Sequence, residues 1–172
     1  TTDGCATNWV QSSQTLAGAV SSIAIARSDP NRVYAAGGGR VYRSDDAGVT
    51  NPWTDKTTAT LPSGRNVTDI AVDRSDPDRI VVTYGGTAGG PAASHVFRST
   101  NGGTSWTDIS GTLPNVNVAA VALDPNSTTT IYVGNDVGVF RTTDGGATWD
   151  AFDNGLPNVI ITDLTVDAED NL

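Results

Sequence analysis

Acid–base chemistry in this sequence has to be carried by aspartate. Of its 19 acidic residues only Glu169 is not Asp, and of its 10 basic residues only Lys56 is not Arg. Asp69 and Asp163 stand at matching places, each third in a short alternating run: Val67-Thr68-Asp69-Ile70 and Ile161-Thr162-Asp163-Leu164. Two carboxylates facing one groove are the equipment of glycoside hydrolysis, one as acid and the other as base or nucleophile. The plainer use of Asp at the start of a strand is to cap neighbouring backbone amides, and capping is the expectation for both. His95 is the single histidine and could move a proton near neutral pH; a surface position at a strand end is the expectation. It follows a Gly-rich stretch from Gly85 to Ser94, which fits a substrate lid or a tolerated insertion. Arg65, Tyr84 and His95 are candidates for a ligand-binding face.

Composition narrows the classes further. The net charge is −9 and no basic patch exists, which argues against nucleic acid. No apolar run reaches the roughly 18 residues of a membrane span. Cys5 is alone, so no internal disulfide is possible, and no metal or cofactor is expected. Hydrophobic residues make up 37% of the chain, too many for a disordered tail. Two tripeptides, Asn66-Val67-Thr68 and Asn126-Ser127-Thr128, have the form of glycan acceptors and matter only in a glycosylating pathway. With 19 Gly, no Met and Asp in place of Glu, helix formers are scarce and turn formers abundant. The elements that position the candidates are therefore short strands joined by tight turns.

An internal repeat arranges those strands. Arg98-Ser99-Thr100-Asn101-Gly102-Gly103-Thr104-Ser105-Trp106 recurs as Arg141-Thr142-Thr143-Asp144-Gly145-Gly146-Ala147-Thr148-Trp149. Looser copies run from Arg43 to Trp53, with Asn51-Pro52 inserted, and from Thr1 to Trp9. The Trp-to-Trp periods are 44, 53 and 43 residues. Each period holds four short strands. Strand A begins at Val20, Val67, Val118 and Ile161; strand B at Val33, Ile80 and Ile131, always 13 residues on. Strand C begins at Val41, Val96 and Val139, and strand D at each Trp. In the C–D turn the Asp or Asn can accept turn amides, the Gly permits positive φ, and the Trp anchors the hairpin on the sheet.

Four-stranded units of roughly 40 to 50 residues are the mark of β-propeller blades. The fold class is all-β: blades of four antiparallel strands, about three complete blades of a larger propeller. Residues 1–172 form one partial propeller, with repeats about 9–52, 53–105 and 106–149 and the start of a further blade at 159–167. Propellers need roughly 4 to 8 blades. Either further blades of a longer chain or another chain is therefore expected to complete it.

The pattern Ser/Thr-x-Asp-x-Gly-x-Thr-Trp resembles the Asp-box, or BNR, repeat of sialidases, xyloglucan-cleaving glycoside hydrolases, sortilin-type receptors and photosystem assembly factors. The resemblance spans nearly the whole chain. It implies that Ser44, Asp46, Gly48 and Trp53, Ser99, Asn101, Gly103 and Trp106, and Thr142, Asp144, Gly146 and Trp149 are folding staples, as their recurrence in every blade also argues. It implies that ligands meet the face built by D–A and B–C loops, opposite the boxes. Asp136, in Gly134-Asn135-Asp136-Val137-Gly138, is loosely similar to a segment bearing a catalytic Asp in xyloglucan-cleaving enzymes. Arg43, Arg98 and Arg141 recur at one repeat position, so they do not converge on a carboxylate as sialidase arginines do. The expected function is a non-catalytic, extracellular or cell-surface segment that binds polysaccharide or protein or serves as scaffold. The alternative is a fragment of a glycoside hydrolase using the carboxylates of Asp69, Asp163 or Asp136.

Overall fold

The computed structural model describes residues 16–49, 53–87, 94–152, 155 and 157–166. The opening copy of the repeat through Trp9, Cys5, and the end of the trailing run at residue 167 lie outside them, as do residues 88–93 of the Gly-rich stretch.

Among the described residues there is no helix, and twelve strands form three antiparallel sheets. Blade 1 comprises β1 (Val20–Ile25), β2 (Val33–Gly37), β3 (Arg40–Ser44) and β4 (Thr54–Asp55). Blade 2 comprises β5 (Val67–Val72), β6 (Ile80–Tyr84), β7 (Val96–Ser99) and β8 (Thr107–Asp108). Blade 3 comprises β9 (Val118–Leu123), β10 (Ile131–Asn135), β11 (Gly138–Thr142) and β12 (Asp150–Ala151). Each sheet runs in chain order from strand A to strand D. A Trp-to-Trp count therefore cuts each sheet between C and D. The outermost strands pair over only two residues. β1 packs on β5 and β5 on β9, which places the A strands side by side.

The strand B residues of blades 1 and 2 are buried throughout, and in blade 2 the strand has an apolar blade on either face. One core fills the seam between blades 1 and 2, around Tyr34, Val41, Ile70, Ile80, Val82 and Trp106. A second fills the seam between blades 2 and 3, around Val81, Val96, Val121, Ile131, Val133 and Trp149.

The same polar staples recur at both seams. The Arg43 guanidinium donates to the Gly102 carbonyl at 3.2 Å, and Arg98 to Gly145 at 3.4 Å. In the other direction the Trp106 indole donates to the Lys56 carbonyl and the Trp149 indole to the Ile109 carbonyl, each at 2.9 Å. A β-carbon on Gly103 would stand 2.8 Å from the Lys56 side chain, and one on Gly146 2.5 Å from that of Ile109. These glycines serve the contact between blades as well as the positive φ of their turns. Arg141 holds the same repeat position in blade 3 and lies over the Phe152 ring, 4.8 Å from its centroid.

The ladders of β1 and β5 each carry a register shift at the second residue, and the β9–β10 ladder carries one at the matching level. Two of these bulges present a hydroxyl to the next blade: Ser21 donates to the Val67 carbonyl and Thr68 to the Val118 carbonyl, each at 2.7 Å.

The trailing run differs from the expected strand. Its Ile161 amide donates to the Asn135 carbonyl at 3.0 Å, but residues 157–166 form no ladder. An A strand takes its ladder from its own B strand, and no fourth B strand lies among the described residues.

Candidate functional site

The loop face is organised by Arg65, which precedes β5. Its guanidinium gathers both sides of the neck of the loop between β6 and β7. Nε donates to the Gly85 carbonyl at 2.9 Å, one terminal nitrogen to Ser94 at 2.7 Å, and the other to Tyr84 and Gly86 at 3.3 and 3.1 Å. That last nitrogen also lies 2.6 Å from His95 Nδ1. A planar fork of five N–H groups can span such a set of acceptors; an ammonium cannot. Burial lowers the pKa of this guanidinium from its ordinary value.

His95, expected at the surface, is fully buried. Its Nδ1 takes the Arg65 N–H, and Nε2 lies 3.0 Å from Asn115 Oδ1. Nδ1 also lies 3.1 Å from the Tyr84 carbonyl. The His95 amide donates to the Ser110 hydroxyl at 2.8 Å. The ring is therefore a strut under the loop face and is shielded from solvent. Tyr84 is likewise fully buried, edge-on to Phe97 with centroids 5.6 Å apart. Burial raises its pKa, and its hydroxyl has no hydrogen-bond partner among the described residues. Of the three loop-face candidates only Arg65 retains exposure.

The Asp69 carboxylate is engaged on both oxygens. Oδ1 accepts from the Ser22 hydroxyl at 2.9 Å and the Ile70 amide at 2.8 Å; Oδ2 accepts from the Val121 amide at 3.0 Å. One side chain thus joins β1, β5 and β9. Asp163 is exposed on the trailing run, away from any ladder. Asp136 is exposed in the β10–β11 turn, where it accepts from the Asn117 side chain at 3.3 Å. Asn117 also accepts from the Gly86 amide at 3.0 Å, so it links the β6–β7 loop to that turn. Asn115 and Asn117 were not singled out from sequence; the signal was their spacing, Asn-Val-Asn, immediately before a strand A.

The C–D turns carry the remaining candidates. Ser44, Ser99 and Thr142 are buried, and each hydroxyl accepts the amides of the residues two and four ahead: Asp46 and Gly48, Asn101 and Gly103, Asp144 and Gly146. Each hydroxyl donates in turn to the Asp or Asn side chain. Asp144 further accepts from the Ala147 amide and from the amide and hydroxyl of Thr148. The Thr148 hydroxyl and amide, with the Thr142 hydroxyl, hold this carboxyl well below the usual range. Trp106 and Trp149 are buried, and Trp53 is half-buried. Among the described residues, no cluster of three His, Cys, Asp or Glu could hold a metal ion, and no helix is long and apolar enough to cross a membrane.

No protein-family model matches the sequence, and no curated protein matches it. Solved structures do. An ancestral GH74 enzyme is 22% identical with a TM-score of 0.60, over 79% of this chain and 18% of its own. A GH74 enzyme of Niastella koreensis is 24% identical with a TM-score of 0.56, over 81% of this chain and 23% of its own. YCF48 bound to D1 peptide is 16% identical with a TM-score of 0.62, over 83% of this chain and 43% of its own. The chain thus has the fold of a part of a β-propeller and spans less than half the length of these neighbours.

Proposed function

We propose that this chain is a non-catalytic propeller segment that presents its D–A and B–C loops to a glycan or protein, outside the cell or at its surface. The observation that carries this reading is Asp69, the most central acid of the catalytic candidates. Both its oxygens hold backbone amides. With the Ser22 hydroxyl, three hydrogen bonds engage this carboxylate and tie the inner strands together, so it serves as a strut. The recurrent Ser/Thr-x-Asp/Asn-x-Gly turns fit the Asp-box repeat, and their polar groups face their own amides. On the loop face, Arg65, Asn115, Asn117 and Asp136 supply polar groups on a braced surface. YCF48, a similar structure, is one that binds a peptide. Isothermal titration with xyloglucan oligosaccharides and with peptides tests the reading. Binding reduced by Asn117→Ala or Asp136→Ala, with no release of reducing sugar, is expected. Release of reducing sugar that Asp136→Asn or Asp163→Asn abolishes would overturn it.

Two of the similar structures are GH74 enzymes, and this favours the second reading, a glycoside hydrolase fragment. In that reading Asp136 and Asp163, the exposed carboxylates, are the acids, and the other blades supply their partners.

A further inference from the structure

The residue that leads into strand C differs in each blade: Arg40, then His95, then Gly138, each directly before a valine. Strand D varies with it, holding Asp55, Asp108 and Ala151 at its matching position. In blade 1 the Arg40 guanidinium pairs with the Asp55 carboxylate. In blade 2 the His95 ring reaches the connection to the next blade, with Nε2 3.0 Å from Asn115 Oδ1. Blade 3 has no side chain to place there. A β-carbon on Gly138 would meet no atom within 4 Å, and Ala151 offers only a methyl group.

Blade 3 accordingly holds a pocket of about 190 Å³ at this level, beside both Gly138 and Ala151. Val139, Phe140 and Ile161 give it apolar walls, and among the described residues that line it Asn158 alone has a polar side chain. Asn158 holds the repeat position of Asn115, each directly after Leu-Pro. The blade 2 ring is held by Arg65, Tyr84, Ser110 and Asn115, which belong to that blade and the connections at its two ends. The blade 3 pocket is likewise walled by its own blade and the connection that leaves it, so no following blade is needed to form it.

We propose that this pocket receives a histidine side chain of a protein partner, seated as His95 is seated in blade 2. The ring lies against Val139, Phe140 and Ile161, and one ring N–H donates to Asn158 Oδ1. Histidine is the occupant because the chain fills the equivalent space of blade 2 with that ring and keeps, in blade 3, the asparagine that meets it. The apolar walls select the neutral imidazole, since the charged form would lose its hydration there. The inference rests on the reading of the loop face as a binding surface, and it names protein as the ligand. Val137 of the B–C turn and Asn158 of the outgoing connection both border the pocket, and Asp136 adjoins Val137.

Nuclear magnetic resonance titration of the full chain with N-acetyl-histidinamide tests this. It is run near pH 7.5, about a unit above the roughly 6.5 of a free imidazole. The amides of Val139, Phe140 and Ile161 shift and saturate, while those of Tyr84 and Val96, beside the filled space of blade 2, stay in place. N-acetyl-phenylalaninamide, which has a ring but no ring N–H, binds more weakly. Asn158→Ala weakens binding of the histidine probe about fivefold, the worth of one net hydrogen bond, and removes its advantage over phenylalanine. Asn158 is exposed, so the variant keeps the fold. Absence of shifts at the blade 3 amides, equal binding of the two probes, or an Asn158→Ala variant that binds histidine as before overturns the proposal. Titration of peptides without histidine on Asn117→Ala and Asp136→Ala scores the loop-face reading separately, so either can fail while the other stands.

Discussion

Asp69 Oδ2 accepts the Val121 backbone amide at 3.0 Å, across a separation of 52 residues. The bond crosses from the inner strand of one blade to that of the next. With the Ser22 hydroxyl on Oδ1, it makes a single carboxylate the tie of three inner strands. Asp69→Ala leaves the Val121 amide unpaired at a packed seam and should cost about 1–3 kcal/mol. Asp69→Asn keeps one oxygen and should cost less. Urea denaturation of both variants gives the difference, and equal losses would show that the amide bonds do not govern the cost.

The blades were legible because they repeat. Trp53, Trp106 and Trp149, the fixed 13-residue step from A to B, and the alternation in each strand A report the architecture three times over. Asp69 was legible as a capping residue, but its partners were not, since Ser22 and Val121 come from other repeats. The same holds for Arg43 and Arg98: recurrence marked them as structural, while their targets, the Gly102 and Gly145 carbonyls, appear only when blades stack. His95 was misplaced because a Gly-rich stretch precedes it and reads as surface. Its burial comes from Arg65, 30 residues before it, and Asn115, 20 residues after it. The trailing run reads as a strand because its residues alternate, but a ladder needs a neighbour that the pattern of one segment does not supply.

Ala47 is the one described non-glycine residue with positive φ, at 57°. It occupies the place that Gly102 and Gly145 hold in the other two turns. An L side chain in the left-handed region costs roughly 1–2 kcal/mol. Ala47→Gly should therefore raise stability by about 1 kcal/mol after the entropy of a more flexible unfolded chain is subtracted. Gly102→Ala should do the reverse and more, since its β-carbon would collide with the Arg43 guanidinium and the Asp78 carboxylate. Thermal melting distinguishes the two; a destabilised Ala47→Gly would show that the backbone there carries no strain.

Tyr84 buries its hydroxyl without a partner among the described residues, against the edge of Phe97 and within the seam between blades 1 and 2. A buried unsatisfied polar group costs roughly 1–3 kcal/mol. Tyr84→Phe keeps the ring and removes the penalty, so it should stabilise the protein by about 1 kcal/mol. Loss of stability in denaturant titration would instead reveal a bound water or ligand at that hydroxyl.

Acid should loosen the C–D turn of blade 3 in particular. The folded-state pKa of Asp144 lies below its unfolded value of about 3.9. Its contribution is therefore present above that value and is lost as pH falls toward the folded pKa. Asp55 and Asp73 shift in the same direction. Burial pushes both up, but Thr57 and Arg40 outweigh it at Asp55, and Ser75, Arg79 and the Asp76 amide outweigh it at Asp73. The melting temperature should fall steadily from about pH 5 downward. Asp144→Asn should lower it at neutral pH and flatten the acid slope. An unchanged slope would mean that the Thr142 and Thr148 bonds form equally well to a neutral side chain.

Arg65 sets the stiffness of the loop face. Without its guanidinium, the carbonyls of Tyr84, Gly85, Gly86 and Ser94 lose a donor, and His95 Nδ1 loses the hydrogen bond it accepts. Hydrogen bonds from a charged donor contribute roughly 1.5–3 kcal/mol each when removal leaves a buried acceptor unpaired, but the carbonyls nearest solvent recover water. Arg65→Ala should therefore cost about 2–3 kcal/mol in all. Arg65→Lys should recover less than half of that, because one ammonium cannot reach both sides of the neck. Hydrogen exchange localises the effect. The Gly85 and Gly86 amides, which donate to the Asn66 carbonyl and the Asn117 side chain, should exchange faster in both variants. The amides of β9 to β11 should not change. Uniform acceleration across all three blades would mean that Arg65 supports the fold as a whole and that the loop neck is held by other contacts.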